Sequence, residues 1–485
     1  MCLPLLFLTT CFPFMKKFIL ASFCAFLAFS CFAAEEVRRG VSVHPVPDSD
    51  KLNECYYVSI DGKQADCYKA AASQARGAEY YFVSYDFRRN AEIRIRHAAW
   101  KSLKDVKVFP EGTKYRFEGA TLVIKAKKAP STIIVSPDNR ELPILFFGNK
   151  YEEKKPSRDD PNVIFIEKGS HNIPQIKLTS GQTLYLEEGA ILKGSVFASG
   201  KDITICGRGV ISGELKARSS KFYFINFEDC QNLRIRDITI KDSPGWTIKL
   251  LRCNGVSIDN VKICNGRVIN DDAIDICNSS NVHIKNVFAR AQDDIIAVKG
   301  LTSGQPENVC ENIFIKNCIF WTDRANIFRI GYDSNVKRIA NLRVKDIFVP
   351  FYATDCVGLD SEVMKGIIVL QAGKKMLIED ATFENIKIYS NGTDQNVFIA
   401  KALNRLYGKP CEAGFIKNCA VKNLSVAGEK GVFRGSILLD ADAGGSVGNI
   451  KFEKISYFGK PLSEDFEFFN PNTSTDIEFN NADRK

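Results

Sequence analysis

The sequence predicts an all-β protein in which a right-handed parallel β-helix follows an N-terminal antiparallel β-sandwich. A motif of the form Ile-x-Ile-x-Asn/Asp-Val/Ile recurs about every 23 residues in the second part of the chain. The first part alternates apolar and polar residues between closely spaced turn signals. No helical periodicity separates the short β-rich runs of the repeat. With 485 residues, 45% of them hydrophobic, the chain has ample apolar material for a large core, which excludes a disordered protein.

Residues 1–34 are predicted to be an export signal. Two lysines precede an apolar stretch over 18–29, and Ala33 and Ala34 offer small side chains for cleavage. We therefore expect an exported protein, in the periplasm, at the cell surface or outside the cell, either free or acylated at Cys31. No later segment reaches the ~20 apolar residues of a membrane helix, so no membrane span is expected.

Cysteines and charge add two expectations. Cys55 and Cys67 flank an Asp61-Gly62 turn, and in a hairpin they are predicted to face each other and form a disulfide. The net charge of +9 mildly favours an acidic partner over a basic one, and no nucleic-acid partner is expected.

Four histidines without zinc-site spacing argue against a histidine-rich zinc enzyme, and neither a metal nor another cofactor is expected.

The domain boundary is predicted near residue 155. Alternating stretches such as EYYFVSYDF and AEIRIRHA assign residues 35–155 to the sandwich, and the charged segment NKYEEKKPSRDDPN follows as a linker. Residues 156–485 then form the β-helix, with repeats such as LRIRDITI, VSIDNVKI and VHIKNVFA. Because coils of a β-helix stack at the sheet spacing of ~4.8 Å, equivalent positions in adjacent coils become neighbours in space.

Two of these coils carry paired aspartates. NDDAIDI and QDDIIAV can be superposed at an offset of 22 residues, which places Asp271 over Asp293 and Asp272 over Asp294. Like charges this close raise the affinity of at least one carboxyl for a proton. Such a group suits inverting glycoside hydrolysis, with Asp293 as general acid and the pair Asp272 and Asp294 holding the attacking water. Calcium ligands and solvated turn residues are the alternatives.

The same surface supplies candidate substrate-binding residues. NIFRIGY superposes on the next coil, so that Asn326 stacks beside Asp294 and Arg329 projects toward the column of Asp275 and Ala297. An insertion over 390–410 is a candidate wall of the cleft. The predicted substrate-binding set is Asp271, Lys299, Asn326, Arg329, Trp246 and Tyr332, with Trp321 as a further aromatic candidate for stacking on sugar rings.

These motifs resemble glycoside hydrolase family 28, the polygalacturonase family of the pectin-lyase-like β-helix superfamily. NDDAIDI is similar to the family's Asn-Thr-Asp-Gly-x-Asp, QDDIIAVKG to its Asp-Asp-Cys-x-Ala-x-Lys, and DSPGWTIKL to its Asn-Ser-Pro-x-Trp segment. The resemblance covers roughly residues 160–390. It implies a secreted polysaccharide hydrolase with Asp293 as general acid and with Asp272 and Asp294 as the water-activating bases.

The chain departs from the family in its recognition elements for galacturonate. The family's Gly-His-Gly histidine aligns with Asn326, and its Arg-x-Lys pair aligns with Ile368 and Leu370. The cations available to replace that pair are Arg329, Lys299 and Lys365. A sandwich followed by a β-helix also resembles family 49, the dextranase and isopullulanase group, whose substrates are neutral glucans.

Two other classes stay open from the sequence. A calcium-dependent polysaccharide lyase on the same fold needs acidic metal ligands and a cationic base, for which Arg329 and Lys299 are available. A noncatalytic glycan-binding solenoid needs neither. A lyase requires Ca²⁺ and releases an unsaturated product that absorbs in the ultraviolet, whereas a binding protein releases no product.

Overall fold

The computed structural model describes residues 40–51, 55–73, 79–98, 106–136, 143–217, 223–301, 309–354 and 362–480. The predicted export signal, with Cys31, lies outside these residues. Strands and one 3₁₀ turn make up the regular structure of the described residues. No helix in this part of the chain is long and apolar enough to cross a membrane.

The N-terminal strands form two sheets that enclose one apolar core. One sheet has the order β1-β5-β11-β10-β7 with β4 beside β5, and the other has the order β3-β2-β6-β9-β8. All their pairings are antiparallel except that of β5 with β11, which is parallel. The strands are β1 (Val41–Val43), β2 (Tyr56–Ile60), β3 (Lys63–Ala65), β4 (Tyr68–Ala71), β5 (Glu79–Phe87), β6 (Ala91–His97), β7 (Lys107–Phe109), β8 (Tyr115–Glu118), β9 (Thr121–Ala126), β10 (Ser131–Ser136) and β11 (Ile144–Lys150), with the 3₁₀ turn at Asp48–Asp50.

The predicted disulfide between Cys55 and Cys67 is wrong, because both residues are free thiols. The hairpin itself is present, with Val58 opposite Ala65. That register places Tyr56, and not Cys55, in line with Cys67. Cys55 instead lies 3.6 Å from the hydroxyl of Tyr81.

The remaining strands form the predicted parallel β-helix. They are β12 (Val163–Ile166), β13 (Gly169–Leu178), β14 (Thr183–Leu186), β15 (Ala190–Lys201), β16 (Thr204–Gly207), β17 (Val210–Ser212), β18 (Tyr223–Arg236), β19 (Thr239–Lys241), β20 (Trp246–Leu251), β21 (Asn254–Asp259), β22 (Lys262–Cys264), β23 (Ile274–Cys277), β24 (Ser280–Lys285), β25 (Phe288–Ala291), β26 (Ile296–Lys299), β27 (Val309–Thr322), β28 (Phe328–Gly331), β29 (Arg338–Tyr352), β30 (Ile368–Ala372), β31 (Leu377–Asn391), β32 (Phe398–Ala402), β33 (Arg405–Leu406), β34 (Lys409–Pro410), β35 (Phe415–Glu429), β36 (Ile437–Ala441), β37 (Ser446–Tyr457), β38 (Lys460–Pro461), β39 (Phe469–Asn470) and β40 (Thr475–Asn480).

Parallel pairing between coils divides the β-helix into three faces. The first face contains β12, β14, β16, β21 and β24, the second contains β17, β19, β22 and β25, and the third contains β20, β23, β26, β28, β30, β32 and β36. The long strands β27, β29, β31, β35 and β37 bend around the corner between the first two faces. Along the inside of the third face the apolar column is Ile248, Ile274, Ile296, Phe328, Ile368, Phe398 and Ile437. The predicted all-β fold, a β-helix after N-terminal antiparallel sheets, is confirmed.

The Asn or Asp of each repeat lies at the corner between the first two faces. Asn260, Asn286 and Asn317 have φ angles of 55°, 56° and 55°. This left-handed conformation is most accessible to Asn and Asp among residues that carry a side chain. The amide of Asn317 also donates to Asn286 Oδ1 at 2.7 Å, so the residue both turns the chain and ties adjacent coils together.

The N-terminal sheet that contains β5 and β11 packs along the second face of the β-helix. Tyr80, Phe82 and Phe147 meet apolar side chains from successive coils, among them Phe288 and Trp321. The Phe147 and Phe288 ring centroids lie 5.4 Å apart, and the Tyr80 hydroxyl donates to the Asn265 carbonyl at 2.8 Å. The described residues of these sheets do not line the cleft on the third face.

Candidate active site

The candidate site lies where strands of the third face begin. Asp272 precedes β23, Asp293 and Asp294 precede β26, and Asn326 precedes β28. The backbone N–H of Ala273 donates to the Asp294 carbonyl at 2.8 Å, and that of Ile295 donates to the Asn326 carbonyl at 2.9 Å. Ile274 pairs with Ile296, which is the predicted offset of 22 residues.

A cleft of about 500 Å³ opens over these strand starts. It brings all three predicted catalytic aspartates together with five of the six predicted substrate-binding residues. Its lining consists of Trp246, Asn270, Asp272, Asp293, Asp294, Lys299, Arg324, Ala325, Asn326, Arg329, Tyr332, Asp333, Val363, Lys365 and Tyr407. Among the described residues, no group of three or more His, Cys, Asp or Glu side chains is arranged to hold a metal ion.

Asp272 lies at the closed bottom of the cleft. Its side chain is 4% exposed, and its Oδ2 is 3.5 Å from Lys299 Nζ. Lys299 also lies 3.0 Å from Asp275 Oδ1, so one ammonium serves two carboxyl groups. Burial, and after it the charge of Asp275, holds the pKa of Asp272 well above its usual range, while Lys299 opposes this shift.

Asp293 is the most accessible of the three aspartates. Its side chain is 18% exposed, and Asp293 Oδ2 lies 4.0 Å from an Arg324 guanidinium nitrogen. Asn270 Nδ2 donates to the same oxygen at 3.4 Å. Burial, and after it the neighbouring Asp294, raises the pKa of Asp293, and the cations Lys299, Arg324 and Lys365 partly offset the rise.

Asp294 is held from the next coil. Asn326 Nδ2 donates to Asp294 Oδ1 at 2.6 Å, and Arg329 Nε lies 3.8 Å from Asp294 Oδ2. The Arg329 guanidinium is itself fixed, because it donates to Gln371 Oε1 and, at 2.7 Å, to the Met364 carbonyl. One oxygen of Asp294 therefore accepts a hydrogen bond, and the other faces a cation.

Asp271 was predicted to bind substrate, but the structure does not bring it into the cleft. Its carboxyl group is fully buried and accepts hydrogen bonds from the backbone N–H groups of Gly266 at 2.9 Å, Gln292 at 2.7 Å and Asp293 at 3.3 Å. Burial raises its pKa to about 8, although these donors oppose the rise. Asp271 thus shapes the turns that carry the neighbouring aspartates.

The three predicted aromatic residues have different positions. Trp246 lines the cleft, with Lys299 Nζ 3.9 Å from a Trp246 ring centroid. Tyr332 also borders it but is only 4% exposed. Trp321 cannot stack on a sugar there, because it is fully buried on the second face, where its ring stacks on Phe351 at 4.9 Å.

Sequence reasoning missed part of the lining, namely Asn270, Arg324, Ala325, Asp333, Val363 and Tyr407. Asn270 adjoins the aspartate motif and could have been found from it. Tyr407 comes from the predicted insertion over 390–410 and does line the cleft. The insertion does not interrupt the β-helix, however, because β32 inside it pairs with β30 and β36. Only the segment after β32, which includes the β33–β34 hairpin, departs from the coil.

The positions aligned with the missing Arg-x-Lys pair lie in the core. Ile368 and Leu370 are fully buried inside the β-helix. The cleft nevertheless contains cations, supplied by Lys299, Arg324, Arg329 and Lys365.

Comparison with known proteins matches this region to a hydrolase family. Residues 198–349 match the family described as glycosyl hydrolases family 28, and this segment contains both aspartate motifs. The chain is similar to family 28. A probable polygalacturonase of Arabidopsis thaliana is 33% identical over 113 residues, which are 22% of this chain. The match spans only 25% of that relative's length.

Solved structures extend the similarity to the whole fold. Dex49A from Penicillium minioluteum has a TM-score of 0.65 at 12% identity, over 89% of this chain and 96% of its own. A Yersinia enterocolitica family 28 exopolygalacturonase has a TM-score of 0.50 at 12% identity, over 92% and 97%. Together these matches confirm the predicted resemblance to family 28 and the layout shared with family 49.

Proposed function

We propose that this protein is a glycoside hydrolase that cleaves a polysaccharide with inversion at the anomeric carbon. One observation carries the proposal: Asp272, Asp293 and Asp294 converge in a single cleft, on two adjacent coils within the segment that matches family 28. Hydrolysis of this kind needs one carboxyl that gives a proton and carboxylates that activate water.

Asp293 is the proposed general acid. Its raised pKa keeps a proton available, and its partly exposed side chain can reach a substrate oxygen. In the reaction this proton passes to the glycosidic oxygen as the bond from that oxygen to the anomeric carbon breaks. The resulting sugar hydroxyl leaves as a neutral group.

Asp272 and Asp294 are the proposed pair that holds the water. The water oxygen bonds to the anomeric carbon from the opposite side of the ring, and one of its protons passes to Asp294. Asp294 is suited to this step because Asn326 donates a hydrogen bond to one of its oxygens and the Arg329 cation faces the other. Asp272, beside Lys299, orients the water from the preceding coil.

An acidic polysaccharide is the proposed substrate class. The matched relative is a probable polygalacturonase, and cations stand beside the proposed acid. Arg324 approaches Asp293 to 4.0 Å, and Lys365 also lines the cleft. A carboxylate on the sugar next to the scissile bond would find these cations within reach. Trp246 would stack on a sugar ring at the other end of the cleft.

We also propose that the enzyme works outside the cytoplasm. The predicted export signal supports this location. Cell fractionation with N-terminal sequencing of the recovered protein tests it: a new N-terminus near Ala34 is expected, and a full-length cytoplasmic protein would contradict it.

Product release from a polysaccharide panel tests the function. The panel contains polygalacturonan, rhamnogalacturonan, dextran, pullulan and sulfated galactan, each with and without EDTA. We expect the enzyme to release saccharide from an acidic polymer. This release should continue in the presence of EDTA, and the product should not absorb in the ultraviolet. An ultraviolet-absorbing product whose formation is abolished by EDTA would contradict the hydrolase and indicate a lyase. Binding to a glycan without release of any product would indicate a noncatalytic binding protein.

A further inference from the structure

Asn326 lies one coil beyond Asp294 in the column of strand starts. It is 1% exposed, and its backbone carbonyl accepts the N–H of Ile295. Its side chain lies between two neighbours, the carboxyl group of Asp294 and the backbone N–H of Gly366. The residue is therefore enclosed by protein on both sides and presents little surface to a substrate.

The backbone fixes which end of the Asn326 amide faces Asp294. The N–H of Gly366 can only donate, and it lies 2.8 Å from Asn326 Oδ1. The amide nitrogen must then face the other way, where it lies 2.6 Å from Asp294 Oδ1. The contact with Asp294 is thus a donation from a neutral group, which cannot transfer its proton to the carboxylate.

Several charged groups surround this contact. The preceding coil contributes Asp272 and Asp275, the coil of Asp294 itself contributes Asp293 and Lys299, and the later elements contribute Arg324, Arg329, Asp333 and Lys365. Of these, Arg329 approaches the second oxygen of Asp294, at 3.8 Å. Asn326 differs from all these groups because its side chain is uncharged, and it holds Oδ1 of Asp294 in place.

We propose that Asn326 is a positioning residue that fixes the Asp294 carboxyl group in its water-accepting orientation. The inference rests on the proposed function for the role of Asp294 but assigns Asn326 a task other than substrate binding. The Asn326 amide donates to Asp294 Oδ1, and its anchoring at the Gly366 N–H keeps this donor aimed at the carboxyl group.

The substitution Asn326→Asp keeps the contact of this side chain with Gly366 and removes its donation to Asp294. The new side chain still accepts the Gly366 N–H, so the backbone keeps its partner. The donor toward Asp294 is replaced by a second carboxyl oxygen, and two carboxyl groups at this distance share a proton. We expect the acid limb of the kcat/KM profile to move up by about one pH unit or more, with the alkaline limb unchanged.

A titration that needs no substrate accompanies the rate profile. Proteins carrying ¹³C at the aspartate carboxyl carbons are titrated by NMR, with the Asp294→Asn spectrum identifying the relevant signal. In Asn326→Asp that signal should titrate about one pH unit or more higher than in the wild type. Asn396→Asp is the matched control, since Asn396 is buried in the same column but donates to the Lys365 carbonyl at 2.8 Å, away from Asp294.

The outcomes separate this inference from the proposed function. A shifted titration together with a shifted acid limb supports both. A shifted titration in a protein that releases no product from any polymer supports the contact and contradicts the glycosidase. An unshifted titration in folded Asn326→Asp, or an equal shift in Asn396→Asp, overturns the positioning role of Asn326 whatever the activity.

Discussion

Lys299 Nζ lies 3.0 Å from Asp275 Oδ1, and both side chains are closed off from solvent beneath the cleft. The same ammonium is 3.5 Å from Asp272. The floor of the cleft is thus a buried ionic cluster in which one cation balances two carboxyl groups. A buried charge that loses its partner is costly, so this cluster is a sensitive point of the fold.

Lys299→Met should destabilise the protein by about 3–5 kcal/mol, because it leaves the buried Asp275 without its cation. Burial, with Lys299 opposing it, raises the pKa of Asp275 to about 7 from its ordinary value of 3.8. The folded state therefore holds a proton that the unfolded chain releases, and stability falls as pH rises from 4 toward 7. Losing Lys299 raises this pKa further, so the fall should continue to higher pH.

Urea unfolding at several pH values measures this effect. Lys401→Met is the matched control, since Lys401 lies on the same face and pairs with Asp440 at 2.8 Å, but with 18% of its side chain exposed. That pair should contribute at most about 1 kcal/mol. Equal losses in the two variants at pH 7 would contradict a buried cluster at Lys299.

Arg324→Gln should move the alkaline limb of the kcat/KM profile to higher pH. Arg324 is one of the cations that offset the raised pKa of Asp293, which is due first to burial and then to Asp294. Removing it lets the pKa of Asp293 rise, so the acid keeps its proton to higher pH. Arg338→Gln, a change at a half-buried ion pair outside the cleft, should leave the limb in place. A limb that moves down in Arg324→Gln would contradict the assignment of Asp293 as the acid.

The contact between the N-terminal sheets and the β-helix should depend on Phe288. Phe288 is 1% exposed and packs against Phe147, so Phe288→Ala should cost about 3–5 kcal/mol. Phe415 is 38% exposed, and Phe415→Ala should cost about 1 kcal/mol or less. Denaturation monitored by circular dichroism compares the two, and a similar small loss in both would mean that the interface contributes little to stability.

The stereochemistry of the product tests inversion. Proton NMR of the first product formed should show the anomer opposite to that of the cleaved linkage, before mutarotation mixes the two. A product that retains the configuration would mean that one of the aspartates attacks the sugar directly.

The sequence allowed the fold and the central pair of aspartate coils to be predicted, because a β-helix repeats its geometry along the chain. The offset between NDDAIDI and QDDIIAV is a property of coil length, and the pairing of Ile274 with Ile296 follows from it. The turn asparagines such as Asn286 were predictable for the same reason, since successive coils turn at the corner between the first two faces through a residue with positive φ.

What could not be predicted depends on the direction of single side chains and on loops. Asp271 and Asp272 are adjacent in sequence, yet the first turns into backbone donors and the second toward the cleft. Tyr407 reaches the cleft from a segment outside the repeat, which no periodicity describes. The disulfide prediction failed by one position of strand register, because the two-residue turn sets Val58, and not Tyr57, opposite Ala65.

The most direct test of the central claim is the rate of saccharide release by Asp293→Asn on the polymer that the wild type cleaves. The amide keeps the shape of the side chain but cannot give a proton, so the rate should fall by about 10²–10⁴-fold while the unfolding midpoint stays within the range of the wild type. Asp465→Asn, an exposed change in a coil far along the β-helix, should retain full activity. An Asp293→Asn protein that is folded and still releases saccharide at the wild-type rate would contradict the account.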